Sequence, residues 1–405
     1  MAKSIKKGRR KSPLQKEING MTGTKYVCPV CKQIFQTDES LRQHFEGYFR
    51  LNSNQRIVPI EFQNYIPKPP NSKDQLQKTY SASDDITIET WWEEWKYNKL
   101  YNMDHYDVLK NTGMKAYRKW ASKPVIIAGA GPSLKFNAQL LKQRNDVGLV
   151  SVLHNFGFFE KIGVKPDYYL NLDAGDVTLP ECAEGDPDVY AKMKGLSMFN
   201  KIAYLDEIKW WDKTKKHTLL TALHCNPELH KRWQGEILWI NTSLPKLDKD
   251  INHPVLNKFN LTYQTGGNTL GACHYHAKAI LGANPIVFVG ADFSFSDDMH
   301  FHSWDSPYDK KVAGLMKCTN IFGNKALSWP SYYGFKCWFE FIAMRGKGNA
   351  PGSYINCTEG GILGAYPEGN IMQIKQQSLN DFLTEYNLHR YMPEMLKRER
   401  NTVLY

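Results

Sequence analysis

The chain has 405 residues, of which 42% are hydrophobic, 13% aromatic and 23% charged, and it carries a formal net charge of +11. This composition supports folded cores, excludes a chain that is mostly disordered, and the length exceeds a single small module. No apolar run approaches the ~18 residues that cross a bilayer, and the basic start has no apolar stretch of a secretory signal behind it, so a cytoplasmic chain without a membrane span is expected.

Residues 1–20 hold Lys3, Lys6, Lys7, Arg9, Arg10, Lys11 and Lys16 against the single acid Glu17, about half of the net charge. They read as a disordered basic tail of a kind that holds phosphate backbones through counterion release. Residues 21–55 carry Cys28, Cys31, Phe35, Leu41 and His44 at the spacing of a Cys/Cys/His/His finger up to its third ligand. The fourth position falls on Tyr48, Phe49 and Arg50, none of which replaces a histidine. A small ββα zinc-finger-like module is expected, with zinc on Cys28, Cys31 and His44 and a fourth ligand that is either missing or borrowed from Glu46, a water or a distant side chain; the alternative is a degenerate finger that keeps only its ββα packing. Beside a basic tail, such a module points to a nucleic-acid or protein partner.

Residues 56–115 begin as a linker with Pro67, Pro69 and Pro70 and then place Trp91, Trp92 and Trp95 in a helical pattern, Ile88 to Leu100. Two of these tryptophans fall one turn apart, as in a helix docked on a larger body rather than a ligand cage. The six cysteines beyond Cys31 are scattered without a framework spacing, so no disulfides are expected.

From Pro124 onward, short β-rich runs alternate with helical patterns. The strands are expected at Val125–Ala128, Gly148–Leu153, Tyr168–Leu172, Ile202–Leu205, Thr218–Leu223, Ile237–Ile240 and Ile286–Gly290, with helices at Leu134–Lys142, Gly157–Ile162 and Leu270–Leu281. This alternation predicts an α/β, Rossmann-like, mostly parallel sheet with helices on both faces over 116–375, followed by a helical extension over 376–405.

The run from Val125 to Leu134 is a buried strand that enters Gly129-Ala130-Gly131-Pro132-Ser133 and then a helix. Its glycines permit close backbone approach, Pro132 suits a first helical position, and the amides that follow suit a phosphate. Leu134 occupies the third glycine position of a dinucleotide fingerprint, and no Gly-Lys-Ser/Thr of a P-loop follows. Three further clusters sit at strand or helix ends. Asn171 and Asp173 close one strand, where they are placed to reach a ribose or a divalent metal, and Thr265-Gly266-Gly267-Asn268-Thr269 opens a helix. Gly290-Ala291-Asp292 closes another strand and is followed by His300 and His302, each a titratable group suited to proton abstraction. His274 and His276 fall inside a helical pattern and read as packing. Asn356-Cys357-Thr358-Glu359-Gly360-Gly361 ends the series, and Cys357 has no basic neighbour that would make it a nucleophile.

Taken in this order, the Gly-Ala-Gly-Pro-Ser-Leu turn, Lys165-Pro166-Asp167 with its strand to Asp173, Thr265-Gly266-Gly267, Val289 to Asp292 with the histidines, and Asn356 to Gly361 resemble one family. It is the MptE-like, 6-hydroxymethylpterin diphosphokinase-like family, which also includes the motility accessory factor (Maf) flagellin glycosyltransferases. The first turn and the Thr-Gly-Gly helix also resemble bacterial sialyltransferases that use CMP-sugars. The resemblance implies a Rossmann-like transferase with a nucleotide held between the two glycine turns and a histidine, His300 or His302, as base. It further implies nucleotide contacts from Gly129, Gly131, Pro132, Ser133, Asn155, Asp173, Thr265, Gly266, Gly267, Asn268, Asp292 and Glu359.

The expected function is transfer of a sugar from a nucleotide-sugar to a macromolecular acceptor. The alternatives are a pyrophosphoryl transfer from ATP to a pterin, with magnesium at Asp173 or Asp292, and a non-catalytic binding protein. The finger and tail favour a large acceptor over a free pterin, and self-association is left open.

Overall fold

The computed structural model describes residues 91–259, 261–304, 315–345, 352–367 and 369–387, and two short strands nearer the N-terminus. Those strands, Tyr26–Val27 and Ile34–Phe35, pair antiparallel. The expected zinc ligands Cys28, Cys31 and His44 lie outside the described residues, as do the basic tail and the proline-bearing linker.

Nine strands form the main sheet: β1 (Val125–Ala128), β2 (Gly148–Val152), β3 (Tyr168–Asn171), β4 (Thr218–Ala222), β5 (Glu236–Thr242), β6 (Thr262–Tyr263), β7 (Ile286–Val289), β8 (Tyr354–Asn356) and β9 (Lys375–Gln376). Their order is β9-β8-β7-β1-β2-β3-β4-β5-β6, and every neighbouring pair is parallel. Val125 aligns with Gly148 on one side and with Ile286 on the other. The chain therefore walks outward from β1 to β6, crosses back, and sets β7 on the opposite flank of β1. In an open α/β sheet this reversal leaves a crevice at the carboxyl ends of the two strands.

Both faces of the sheet are covered, which is why its central strands are continuously apolar. Val125, Ile127, Ile286 and Phe288 pack on one side with Leu270, Ala272 and Cys273 of α5 (Thr269–Tyr275). Ile126, Ala128, Leu149 and Val287 pack on the other with Phe156 and Phe159 of α3 (Phe156–Ile162) and Leu179 of α4 (Thr178–Glu184). The fold class read from the sequence is the observed one: α/β with a Rossmann-like parallel sheet.

Most expected strands lie within a residue or two of the observed ones, but Ile202–Leu205 is a correction. It lies inside a helix, Met198–Glu207, whose Ser197 cap accepts a hydrogen bond from the Asn200 amide at 3.3 Å. Ile202 and Leu205 are three apart, so they share a helix face as readily as they fit a short strand. The helix expected after the first glycine turn is split. Its α-helical part, α2 (Leu134–Asn137), gives way to a 3-10 segment, Ala138–Gln143. Between β7 and β8 the chain inserts an antiparallel hairpin, Met316–Thr319 with Lys325–Ser328, and α6 (Pro330–Arg345).

The tryptophan-bearing helix α1 (residues 91–105) docks on the body as expected, with Met103 and Leu100 packed against Leu223, Trp239 and Phe259 and with several polar side chains bonded to it. Asn98 donates to the carbonyls of Ala174 and His224, and Asn102 donates to those of Leu223 and Cys225 at 2.9 Å each. Trp91 lies against Gly175, and the Trp95 ring is 5.2 Å from that of His224. Lys99 is wholly buried and donates to Asn241 Oδ1 at 2.7 Å and to the Asp248 carboxylate. Removing one partner of a buried pair leaves the other without compensation. Asp248 is part-exposed, so the loss is softened by solvent, and Lys99→Ala should lower unfolding stability by about 1–2 kcal/mol in denaturant titration, whereas Lys96→Ala, at the exposed pair with Asp250, should change little.

Candidate functional site

At the switch point, β1 and β7 end in glycine-containing turns that touch. The Gly129 amide donates to Val289 O and the Gly131 amide to Gly290 O, both at 2.9 Å. Gly290 adopts φ 59°, and a methyl group on Gly131 would fall 2.1 Å from Asp292 Oδ2, so both positions require glycine. The Ser133 amide donates to Asp292 Oδ1 at 3.2 Å, and the Ser133 hydroxyl donates to Oδ2 at 2.8 Å. The Asp292 carboxyl thus occupies the amino end of α2, the position where a phosphate was expected. Burial lifts its pKa to about 7, against the opposing pull of the two Ser133 bonds.

The second glycine turn is arranged differently. Asn268 caps α5 by accepting from the Gly271 amide at 2.8 Å. Thr269 and Leu270, whose amides fall in the first helical turn and have no intrahelical acceptor, line the cleft. Both turns open on one cleft of about 450 Å³, a size that suits a small-molecule ligand. One part of its wall is aromatic, with Phe293, Phe301, Trp329, Tyr332 and Phe335.

The cleft also contains a charged group that the sequence reading missed. His154, directly after β2, is 2.9 Å from Glu181 of α4 and 3.9 Å from Asp173, which follows β3. Burial opposes its charge, but the neighbouring Glu181 carboxylate, with Asp173 and Glu184 adding to it, raises its pKa to about 9. The His154 Nε2 atom is buried and turned toward Glu181 at 2.9 Å. The His302 ring stands edge-on to that of His154, with centroids 5.9 Å apart. His154 follows a strand that the sequence did mark, and the strand-end rule used for Asp173 reaches it equally. Glu181 has no local signal.

Of the expected nucleotide contacts, the structure brings Gly129, Gly131, Asp173, Gly267, Asn268 and Asp292 to the cleft, together with His302. Pro132, Ser133, Asn155, Thr265, Gly266, Glu359 and His300 do not line it. Asn155 is buried and donates to Gly129 O at 2.9 Å, which ties β2 to the first turn. Glu359 accepts from the Leu379 amide at 2.9 Å and from Asn137, and Gly266 is pressed against Trp338. His300 stands 3.5 Å from Asp298. His274 and His276 are buried, as expected for packing residues. Burial also raises the pKa of Cys357 well above the usual thiol range, in keeping with its expected inertness.

Among the described residues, no group of three or more His, Cys, Asp or Glu is placed to hold a metal ion. The two acids named for magnesium fit it poorly. Both oxygens of Asp292 bond Ser133, and Asp173 faces the His154 imidazolium, which repels a cation. No helix among the described residues is long and apolar enough to cross a membrane.

A family model described as 6-hydroxymethylpterin diphosphokinase MptE-like matches residues 96–298, half of the chain and every strand from β1 to β7. The chain belongs to the MptE-like family. The MptE-like description names a group-transferring enzyme. Among solved structures, a Maf glycosyltransferase from Magnetospirillum magneticum AMB-1 is similar at 13% identity and a TM-score of 0.45, covering 70% of this chain. The likeness spans only 41% of that protein. No curated protein matches in a sequence comparison.

The Asp292 site yields a pH test. Its carboxyl titrates near 3.8 when unfolded and near 7 when folded, so between these values the folded state binds more protons and stability falls as pH rises. Asp292→Asn removes this loss. Denaturant titration should show the variant gaining about 2 kcal/mol on the parent between pH 5 and pH 7.

Proposed function

We propose that the chain is a nucleotide-dependent glycosyltransferase that moves a sugar from a nucleotide-sugar donor to a macromolecular acceptor. The observation that carries this reading is the switch-point cleft, where free helix-start amides, an imidazolium and an aromatic wall share one volume. In this reading the donor's phosphates lie toward the amides of Thr269 and Leu270, which place partial positive charge there. The aromatic wall takes the planar base, and the sugar's reacting carbon sits near His302. The first glycine turn supplies shape rather than donors, because the amides of Gly129, Gly131 and Ser133 are already bonded within the protein.

The proton of the attacking acceptor hydroxyl passes to His302 in this scheme. His302 is chosen over His300 because only His302 lines the cleft. The acceptor is brought by the basic tail and the finger-like segment, with zinc on Cys28, Cys31 and His44 as part of the same proposal.

A second reading, diphosphate transfer from ATP to a pterin, is favoured by the same aromatic wall, which suits a pterin ring as well as a nucleobase. It is weakened by the poor fit of Asp173 and Asp292 to magnesium.

Thermal-shift measurements on the full chain with CMP-sugars, UDP-sugars, and ATP with magnesium separate these readings. Stabilisation by a nucleotide-sugar and not by ATP with magnesium is the expected result. His302→Ala should keep that stabilisation and lose turnover about 100-fold or more, whereas His300→Ala should remain active. An inactive His300→Ala beside an active His302→Ala would reverse the assignment of the base.

A further inference from the structure

Among the described residues lining the cleft there is no lysine or arginine; its side chains able to carry positive charge are His154 and His302. A nucleotide leaving group gains negative charge as the bond to the sugar breaks, and a transferase needs donors placed where that charge develops. In the first glycine turn the amides of Gly129, Gly131 and Ser133 are already bonded within the protein, which leaves at most the Ala130 amide for this task. We propose that His154 is the cationic group that stabilises the departing nucleotide phosphate, and that Glu181 is the residue that positions it and keeps it protonated. This rests on the glycosyltransferase reading and names a residue role within the same site.

The geometry supports the division of labour. His154 enters from the end of β2, next to the switch-point strand, whereas His302 enters from the segment after β7, so the two imidazoles approach the cleft from different elements. The charged groups around His154 are Asp173 from the end of β3, Glu181 and Glu184 from α4, and His302; Lys201 pairs Glu184 at 3.2 Å. Three carboxylates against one ring hold a proton on His154 through the neutral range. A group with that proton fixed is a poor base and a good hydrogen-bond donor to an anion.

The step balances with these roles. The acceptor oxygen forms a bond to the sugar's anomeric carbon and loses its proton to His302. The bond from that carbon to the phosphate oxygen breaks, and its electron pair remains on the phosphate. With Nε2 turned to Glu181, His154 donates a hydrogen bond to that oxygen through its Nδ1–H and keeps both protons, so it is unchanged over the cycle.

The test measures binding of CMP and of UDP, as products, to the full chain by titration calorimetry from pH 6 to pH 10. Above about pH 8, where Asp292 and the nucleotide phosphate have already titrated, the parent should bind one of them with an affinity that falls as pH passes through about 9, where His154 loses its charge. Glu181→Gln should move that fall toward neutral pH, because a carboxylate facing the ring is lost. His154→Gln should weaken binding about tenfold and abolish the pH dependence, and His154→Lys should restore part of the affinity. A parent profile flat through pH 9, which needs no variant to fold, would overturn the assignment. So would a His154→Gln protein that binds as tightly as the parent, and in both cases the transferase reading would survive. Failure of the parent to bind either nucleotide would overturn the donor reading and this role with it.

Discussion

The paired hydrogen bonds between Ser133 and Asp292 join the ends of β1 and β7, the two strands that part at the switch point. Every other feature of the cleft is arranged around that junction. With Asp292 at the amino end of α2, the first glycine turn is closed to an anion, and Gly131 and Gly290 become necessary for the close approach of the two strand ends. Asn155 and Thr358 support the same junction from either side, the first through Gly129 O and the second by accepting from the Ala291 amide at 3.1 Å. The ligand-facing positive groups are therefore displaced to neighbouring elements, to the start of α5 and the end of β2.

This displacement separates what the sequence made legible from what it did not. The central strands were readable because Val125–Ala128 and Ile286–Val289 are buried on both faces and stay apolar throughout. The cleft was readable as a place, because glycine turns and acids cluster at strand ends. The partner of each polar atom was not: nothing near Ser133 in the chain indicates that a carboxyl 159 residues away takes its amide. The same holds for Glu181, whose contact with His154 depends on α4 folding back toward the end of β2.

The insertion between β7 and β8 was missed for another reason. In α6, aromatic and apolar residues stand at nearly every position from Tyr332 to Phe341, so no polar face marks the helical period. Its residues Tyr332 and Phe335, with Trp329 just before it, form part of the aromatic wall. This segment thus supplies the apolar part of the candidate site, while His274 and His276 are packed inside the body, as their place in a helical pattern predicts.

The central claim is that a nucleotide binds where β1 and β7 diverge. Hydrogen exchange of the full chain, measured with and without saturating CMP-sugar or UDP-sugar, tests it most directly. The account predicts added protection concentrated at the start of α5, at residues 152–154 and in the aromatic segment around Trp329, with little change at Gly129, Gly131 and Ser133, whose amides are already bonded. Protection confined to the outer strands β4 to β6, or strongest at residues 129–134, would contradict it.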